Sequence, residues 1–195
     1  MREFILHRKD RLIITTIEII DDLGIQGLST REIAKREGVS EATLFRHYAT
    51  KNDLMYAVLD YFSKFDSEIY QTTQMKGLKP KEAIIFFVSA TFEYYENYPA
   101  ITAIMMLMDI LRYEPDLCER VNQIISSHNG YLKRLVEEAQ QSGEIKATAN
   151  IDFLAEQIAG LCRETCLNWR IQNKQFALKE RTLSSLMMLL DAFNN

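Results

Sequence analysis

Apolar residues recur along this 195-residue chain with the three- and four-residue spacing of helices. Between Asp10 and Leu23 they form one such stripe, and Gly24 suits its C-terminal cap. From Thr50 to about Tyr70 a longer stripe comprises Leu54, Val58, Phe62, Phe65 and Ile69. The 7 glycines and 3 prolines are too few for the frequent turns of a β-protein, so the pattern predicts an all-α fold.

Two shorter helices are predicted between these two. Ser29 and Glu32 form a capping-box pattern for one that ends near Gly38, and Ser40 is a suitable N-cap for another that runs to about Tyr48. Their facing apolar side chains are Ile33, Ala34, Val39 and Leu44. Two short helices joined by a glycine-containing turn are typical of a helix-turn-helix motif that binds DNA, although a tight hairpin in any helical protein shares this spacing.

Longer helices are predicted after the polar, glycine-containing stretch 71–79. They cover about 80–98, 100–113, 116–142, 152–173 and 178–193, and Pro80, Pro99, Pro115 and Gly143 mark their ends. We therefore predict a helix-turn-helix domain at 1–50, a connecting helix and linker at 51–79, and a larger helical domain at 80–195.

The motif itself carries a family resemblance. The stretch G-L-S-T-R-E-I-A-K-R-E-G-V-S-E-A-T-L-F-R-H-Y-A-T-K-N-D-L, residues 27–54, closely resembles the DNA-binding segment of the tetracycline-repressor (TetR) family. The resemblance spans roughly residues 10–60 and rests on Gly27, Ile33, Ala34, Gly38, Val39, Ser40, Leu44, Tyr48, Lys51 and Leu54. Over residues 80–195 only the helical layout and scattered features resemble the family. Examples are S-G-E-I at 142–145 and the following Asp152, Ala155 and Gly160.

This resemblance implies an N-terminal three-helix helix-turn-helix domain followed by a larger helical ligand-binding and dimerisation domain. It also implies a homodimeric transcriptional regulator, most simply a repressor released from double-stranded operator DNA by a small effector. Phe45 and Tyr48 stand where the family usually has Tyr and Phe, so any contact of Phe45 with DNA must be apolar.

Helix geometry selects candidate DNA contacts around the second short helix. With Leu44 and Tyr48 on the buried side, Ala42, Thr43 and Arg46 point towards the major groove. Glu41 could accept a hydrogen bond from a cytosine amino group or simply complement the helix dipole. Phe45 and His47 flank these side chains, and Ser29, Thr30, Ser40 and Lys51 stand at helix starts, where free N–H groups attract phosphate.

The C-terminal helices supply candidates for a dimer interface and an effector site. Apolar residues on the last two helices could meet a partner subunit or form an internal core; they are Ile158, Leu161, Leu183, Leu186, Met187 and Leu190. Aromatic and methionine side chains could line a cavity for an apolar or aromatic effector; the candidates are Phe87, Phe92, Tyr95, Met105, Met108, Tyr113 and Trp169.

Charge and reactive side chains narrow the function further. The net charge is −4, but residues 1–51 hold nine Lys and Arg against eight Asp and Glu, so the acidity lies in the rest of the chain. The three histidines are far apart in sequence, and we predict no enzyme, no catalytic residue, no cofactor and no metal site. A helical interaction module, and a ligand-free regulator or activator, are the alternatives.

Cysteines and hydropathy bear on the compartment. Cys118, Cys162 and Cys166 are an odd number of cysteines, which indicates reduced thiols that pack as small apolar groups; metal binding or oxidant sensing by Cys162 and Cys166 is the alternative. There is no secretory signal pattern and no apolar run near the ~20 residues of a membrane span, so the sequence predicts a cytoplasmic protein.

Overall fold

A computed structural model describes residues 7–194, and over that range the chain forms nine α-helices. They are α1 (Arg8–Leu23), α2 (Thr30–Glu37), α3 (Glu41–Phe45), α4 (Lys51–Met75), α5 (Pro80–Asn97), α6 (Ile101–Leu111), α7 (Cys118–Gln141), α8 (Ile151–Ile171) and α9 (Leu178–Ala192). A 3-10 turn follows α1, and one isolated antiparallel bridge pairs Ile145 with Asn194. The predicted all-α fold is confirmed. None of these helices has the length and apolar character required to cross a membrane.

Local caps define the helix ends in the N-terminal part. The Ser29 hydroxyl accepts the Glu32 N–H at 3.1 Å to start α2, and Gly38 ends it in the left-handed conformation with φ 64° and ψ 34°. Thr50 and Asp53 each accept the backbone N–H of the other at 2.9–3.0 Å, which is a full capping box at the start of α4.

Two helix ends differ from the predicted positions. Helix α3 ends at Phe45 and not near Tyr48, because the chain continues as a turn in which His47 N–H bonds to the Leu44 carbonyl at 2.9 Å. Helix α4 runs to Met75 through residues that were predicted as polar linker. Thr73 is buried in this last part of α4, and its hydroxyl is satisfied within the helix because it donates to the Ile69 carbonyl at 2.8 Å.

The helices form two compact units that do not follow chain order. Among the described residues, the first unit contains residues 7–64 and 99–122, and the second contains residues 65–98 and 123–194. Helix α6, which the sequence grouped with the effector domain, therefore packs in the first unit, where it lies against α1. The domain boundaries at 50 and 79 stay a prediction.

In the first unit, α1 holds α2 by apolar packing and by two carboxylate networks. Glu37 accepts a hydrogen bond from buried Thr15 at 2.6 Å and pairs with Arg11 at 2.9 Å. Arg36 pairs with Asp22 at 2.7 Å and with Glu32 at 3.1 Å. The apolar side chains beneath them are fully buried and include Ile17, Ile19, Ile33 and Leu44. This packing gives α2 and α3 a rigid base.

In the second unit, α9 packs against α5 and α8 along one buried stripe: Leu178, Thr182, Leu186 and Leu190. Ala177 has no side chain that could cap α9, and the Glu96 carboxylate of α5 accepts the Lys179 N–H at 3.1 Å instead. At the other end, the Lys81 ammonium binds Asp191 at 3.0 Å and Asn194 at 2.7 Å. Both ends of α9 are thus fixed to α5.

Candidate nucleic-acid interface and effector region

Helix α3 presents one buried and one exposed face. Leu44 is fully buried, and the Tyr48 ring is buried with its hydroxyl donating to the Lys9 carbonyl at 3.4 Å. Burial, and then the charge of Asp10, raises the pKa of Tyr48. Because Leu44 and Tyr48 lie on the inner side, Ala42 and Arg46 are exposed, as the helix geometry predicts. Thr43, which the same geometry points outwards, is half-buried.

The exposed face carries groups that suit base edges. Arg46 is exposed, with its nearest guanidinium nitrogen 3.5 Å from the half-buried Thr43 hydroxyl. A guanidinium can donate two hydrogen bonds to guanine, and the Ala42 methyl can contact a thymine methyl. Phe45 is 47 % exposed, which is unusual for so apolar a ring and leaves it available for a partner. His47 is half-buried beside it.

Lys51 is the first residue of α4, but its side chain reaches the start of α2. Its ammonium donates to the Leu28 carbonyl at 3.0 Å, next to Ser29, the N-cap of α2. A cation at the positive end of a helix dipole is unfavourable by itself, and an anion bound there relieves the repulsion. The Ser29 oxygen accepts the Glu32 N–H, so its own proton remains able to bond to that anion. The arrangement fits a phosphate.

Thr30 and Glu41, both predicted to contact DNA, contact each other. The Thr30 hydroxyl donates to the Glu41 carboxylate at 2.6 Å, so that proton cannot also be given to a phosphate. Ser40 caps α3, and its hydroxyl accepts the Thr43 N–H at 3.2 Å. Sequence reasoning missed the Thr30–Glu41 bond because the two residues are eleven positions apart on different helices.

The predicted effector-site residues fall in different units. Phe87, Phe92, Tyr95 and Trp169 are buried in the second unit, whereas Met105, Met108 and Tyr113 belong to the first. Tyr113 is 74 % exposed with its ring 4.8 Å from the Arg112 guanidinium, so it lies on the surface. The Trp169 N–H donates to the Phe176 carbonyl at 2.9 Å, which ties down the loop after α8.

Around Phe87 lies an aromatic cluster that sequence reasoning did not assemble. Tyr70 of α4 stacks on Tyr131 of α7 with ring centroids 4.2 Å apart. The Phe87 ring lies edge-on to both, at 6.3 and 6.5 Å, and 5.9 Å from the His128 ring. The available signal was the spacing of His128 and Tyr131, one helical turn apart on α7.

One ion pair lies beside this cluster. His128 Nδ1 is 3.0 Å from an Asp66 carboxylate oxygen, and the Asp66 side chain is 14 % exposed. Burial alone would lower the pKa of His128, but the charge of Asp66 and its hydrogen bond together outweigh burial and raise that pKa. Burial, followed by the charge of Asp66, also raises the pKa of Tyr95 well above its ordinary value. The second unit therefore places a partly buried polar pair beside a cluster of aromatic rings.

Comparison with known protein families identifies the family of this chain. Residues 12–58 match the model of bacterial regulatory proteins of the tetR family, and residues 60–192 match the model of the C-terminal region of YsiA-like proteins. The chain belongs to the TetR family of transcriptional regulators. The predicted family is thereby confirmed, and the chain is a DNA-binding transcriptional regulator, not an enzyme.

Individual relatives of this TetR-family chain span nearly its whole length. The fatty acid metabolism regulator protein of Bacillus subtilis (strain 168) is 22 % identical over 186 residues, which cover 95 % of each chain. Among solved structures, FadR from Bacillus subtilis in complex with stearoyl-CoA superposes with a TM-score of 0.80 at 19 % identity, covering 96 % of this chain and all of that one. The ketosteroid regulator KstR2 of Mycobacterium tuberculosis superposes with a TM-score of 0.81 at 16 % identity, covering 98 % and 97 %.

In this TetR-family chain the predicted dimer residues are divided between core and surface. Ile158, Leu186 and Leu190 are fully buried inside the second unit. Met187 is 45 % exposed, and Leu161 and Leu183 are half-buried. The spacing found the apolar stripe of α9 but could not tell its inner from its outer side. The exposed apolar side chains on α8 and α9 are Phe153, Leu167, Ile171, Met187 and Met188.

The cysteines of the regulator differ in surroundings. Cys166 is buried. Burial, and then the negative charge that Cys166 carries as a thiolate, raises the pKa of Cys162 to about 12. Such a thiol holds almost no reactive thiolate at neutral pH, which supports the packing interpretation. Within residues 7–194, no group of three or more His, Cys, Asp or Glu side chains is arranged to hold a metal ion.

Proposed function

We propose that this chain is a homodimeric repressor that binds operator DNA through α2 and α3 and is released by an effector with a long acyl chain. One observation supports the proposed mode of DNA binding. Ala42 in α3 and Arg46, the residue that caps its C-terminal end, are exposed, while the Lys51 ammonium lies at the start of α2. A base-reading surface beside a phosphate-binding point is what a helix-turn-helix needs.

The dimer is proposed to form through the exposed apolar side chains of α8 and α9. Exposed apolar side chains on two helices that pack against each other support an interface between two copies of the chain. Gly160 lies on the same exposed part of α8, and a Cβ added there would meet no atom within 4 Å of its own protomer. A partner helix can approach closely at such a position.

The effector is proposed to be a fatty acyl thioester of coenzyme A. The second unit offers buried aromatic rings that suit an acyl chain, and a relative over nearly the whole chain is a fatty acid metabolism regulator. The Bacillus subtilis FadR structure, which shares the fold, holds stearoyl-CoA. Release requires that the effector binds the DNA-free conformation more tightly than the DNA-bound one.

The proposed function is tested in two steps with the full-length protein. Selection from random duplexes should yield an inverted repeat, which gives a labelled operator for fluorescence anisotropy. Acyl-CoA esters of increasing chain length should then lower operator affinity, by about 5- to 150-fold for a typical coupling, and operator should lower acyl-CoA affinity by the same factor. Free coenzyme A is the matched control. Equal effects of coenzyme A and long-chain esters would refute the effector, and recovery of no sequence would refute the regulator as proposed.

The proposed function also implies where in the cell the protein acts. A repressor must meet chromosomal DNA and intracellular acyl esters, so we propose that it acts in the bacterial cytoplasm.

A further inference from the structure

The position of α3 depends on few contacts because the helix is short. It has five residues, and a helix of that length has little stability of its own. Buried Leu44 in α3 and buried Tyr48 in the turn that follows hold the C-terminal end of the helix in the core. At its N-terminal end the chain enters from left-handed Gly38, and the Val39 N–H bonds to the Ala34 carbonyl at 2.9 Å. The N-terminal half carries exposed Ala42 and half-buried Thr43, so its exact placement matters for base contacts.

A single side-chain hydrogen bond joins α2 to α3 in the described part of the chain, between Thr30 and Glu41. Each is the first residue of its helix. At 2.6 Å, an O–H···O contact with a carboxylate is a charge-assisted bond, stronger than one between neutral groups. It links the two helix starts directly, at the end of α3 that the core does not hold.

This bond changes the role of both residues. A carboxylate beside DNA repels phosphate, so a Glu at this position costs affinity unless it serves another purpose. In the structure the Glu41 carboxylate accepts the Thr30 proton. We propose that Glu41 is a positioning residue, which acts through Thr30 to hold the N-terminal end of α3, and that neither side chain reads a base or donates to a phosphate. The inference rests on the proposed DNA-binding function.

The first test needs no DNA. Thr30→Val removes the hydroxyl and keeps the branched shape, and Thr30→Ser keeps the hydroxyl as the matched control. Backbone amide exchange at Leu44 and Arg46, whose N–H groups close the turns of α3, should become about three- to tenfold faster in Thr30→Val and stay unchanged in Thr30→Ser. Equal exchange in the two variants would overturn the proposal, whatever the protein does with DNA.

The second test is a double-mutant cycle on the selected operator. Thr30→Val should weaken binding about three- to tenfold in the wild-type background and less than about twofold in a Glu41→Ala background, because the bond is already lost there. An equal loss in both backgrounds would mean that the Thr30 hydroxyl contacts phosphate directly, and it would overturn the proposal.

A third variant separates positioning from base reading. Glu41→Gln keeps an oxygen that accepts the Thr30 proton and removes a negative charge, so operator affinity should be equal or higher, with the same preferred base at every operator position. A changed preference at one base pair would assign Glu41 to base readout and overturn the proposal. Failure of the wild-type protein to select any operator would instead count against the proposed function, while the exchange test would still decide the positioning role.

Discussion

At the residue scale, Lys51 and Arg46 are expected to contribute to DNA binding in different ways. Lys51→Ala removes one phosphate contact, so affinity should fall for all sequences and the salt dependence of binding should lose about one unit of slope. Arg46→Ala should relax the preference at one operator position as well as lower affinity. Anisotropy titrations at several salt concentrations, on operator and on random duplex, measure both effects.

Arg134, exposed on α7 and remote in sequence from the motif, supplies the control. Arg134→Ala should leave operator affinity and salt slope unchanged. If the Lys51 and Arg46 variants behave like this control, the DNA face lies elsewhere on the protein.

The Asp66–His128 pair predicts a pH dependence of stability. The pKa of His128 is raised in the folded protein, so the pair stabilises the fold fully below the unfolded pKa of about 6.5, and this contribution is lost as pH rises through the raised value. The difference in unfolding free energy between wild type and Asp66→Asn should therefore be larger at pH 6 than at pH 9. Urea denaturation at the two pH values measures it.

His128→Gln is the matching variant, because it removes the titrating group and keeps a polar side chain of similar length. Its unfolding free energy should lack the same pH-dependent contribution. A constant difference between wild type and Asp66→Asn from pH 6 to pH 9 would contradict the assignment of the pair.

At the scale of elements, the turn between α2 and α3 depends on the left-handed backbone at Gly38. An added Cβ there would meet no atom within 4 Å, so Gly38→Ala should be destabilising through its backbone conformation alone, by about 1–2 kcal/mol. Gly130, inside α7, is equally open but helical, and Gly130→Ala should stabilise by about 0.5–1 kcal/mol. Thermal unfolding of both variants compares them directly, and effects of the same sign would contradict this explanation.

At the scale of the whole molecule, the proposed dimer predicts opposite outcomes for two neighbouring residues of α9. Met188 is 77 % exposed, so Met188→Glu should give folded monomers with weak operator binding. Leu186 is fully buried, so Leu186→Glu should instead lower the melting temperature by placing a charge in the core. Sedimentation and circular dichroism distinguish the two results.

Gln141→Glu adds the same charge at an exposed site on α7 and should stay dimeric. A dimeric, fully active Met188→Glu variant would place the interface away from α9. In the DNA-bound dimer the two α3 helices should stand about 34–36 Å apart, or farther for more widely spaced half-sites, to meet successive major grooves.

Features that depend on neighbouring residues could be predicted from the sequence. Ser29, Gly38 and Pro80 act on the backbone within one turn of themselves, so they identified the helix starts and the turn of the DNA-binding motif correctly. The outward face of α3 followed as well, because Leu44 and Tyr48 define its inner side within the same short segment. Fold class, family and the candidate DNA face are therefore properties of local sequence.

The tertiary structure alone decided which distant elements meet. Helix α6 packs with α1, Tyr70 stacks on Tyr131, and Thr30 bonds to Glu41, and no spacing rule connects such partners. The tertiary structure also decides which side of α9 is buried. Leu186 and Met187 are adjacent and both apolar, yet Leu186 is buried and Met187 is exposed. Hydrophobic spacing identifies a helix and its apolar stripe, but the side chain that a residue meets depends on elements brought together from elsewhere in the chain.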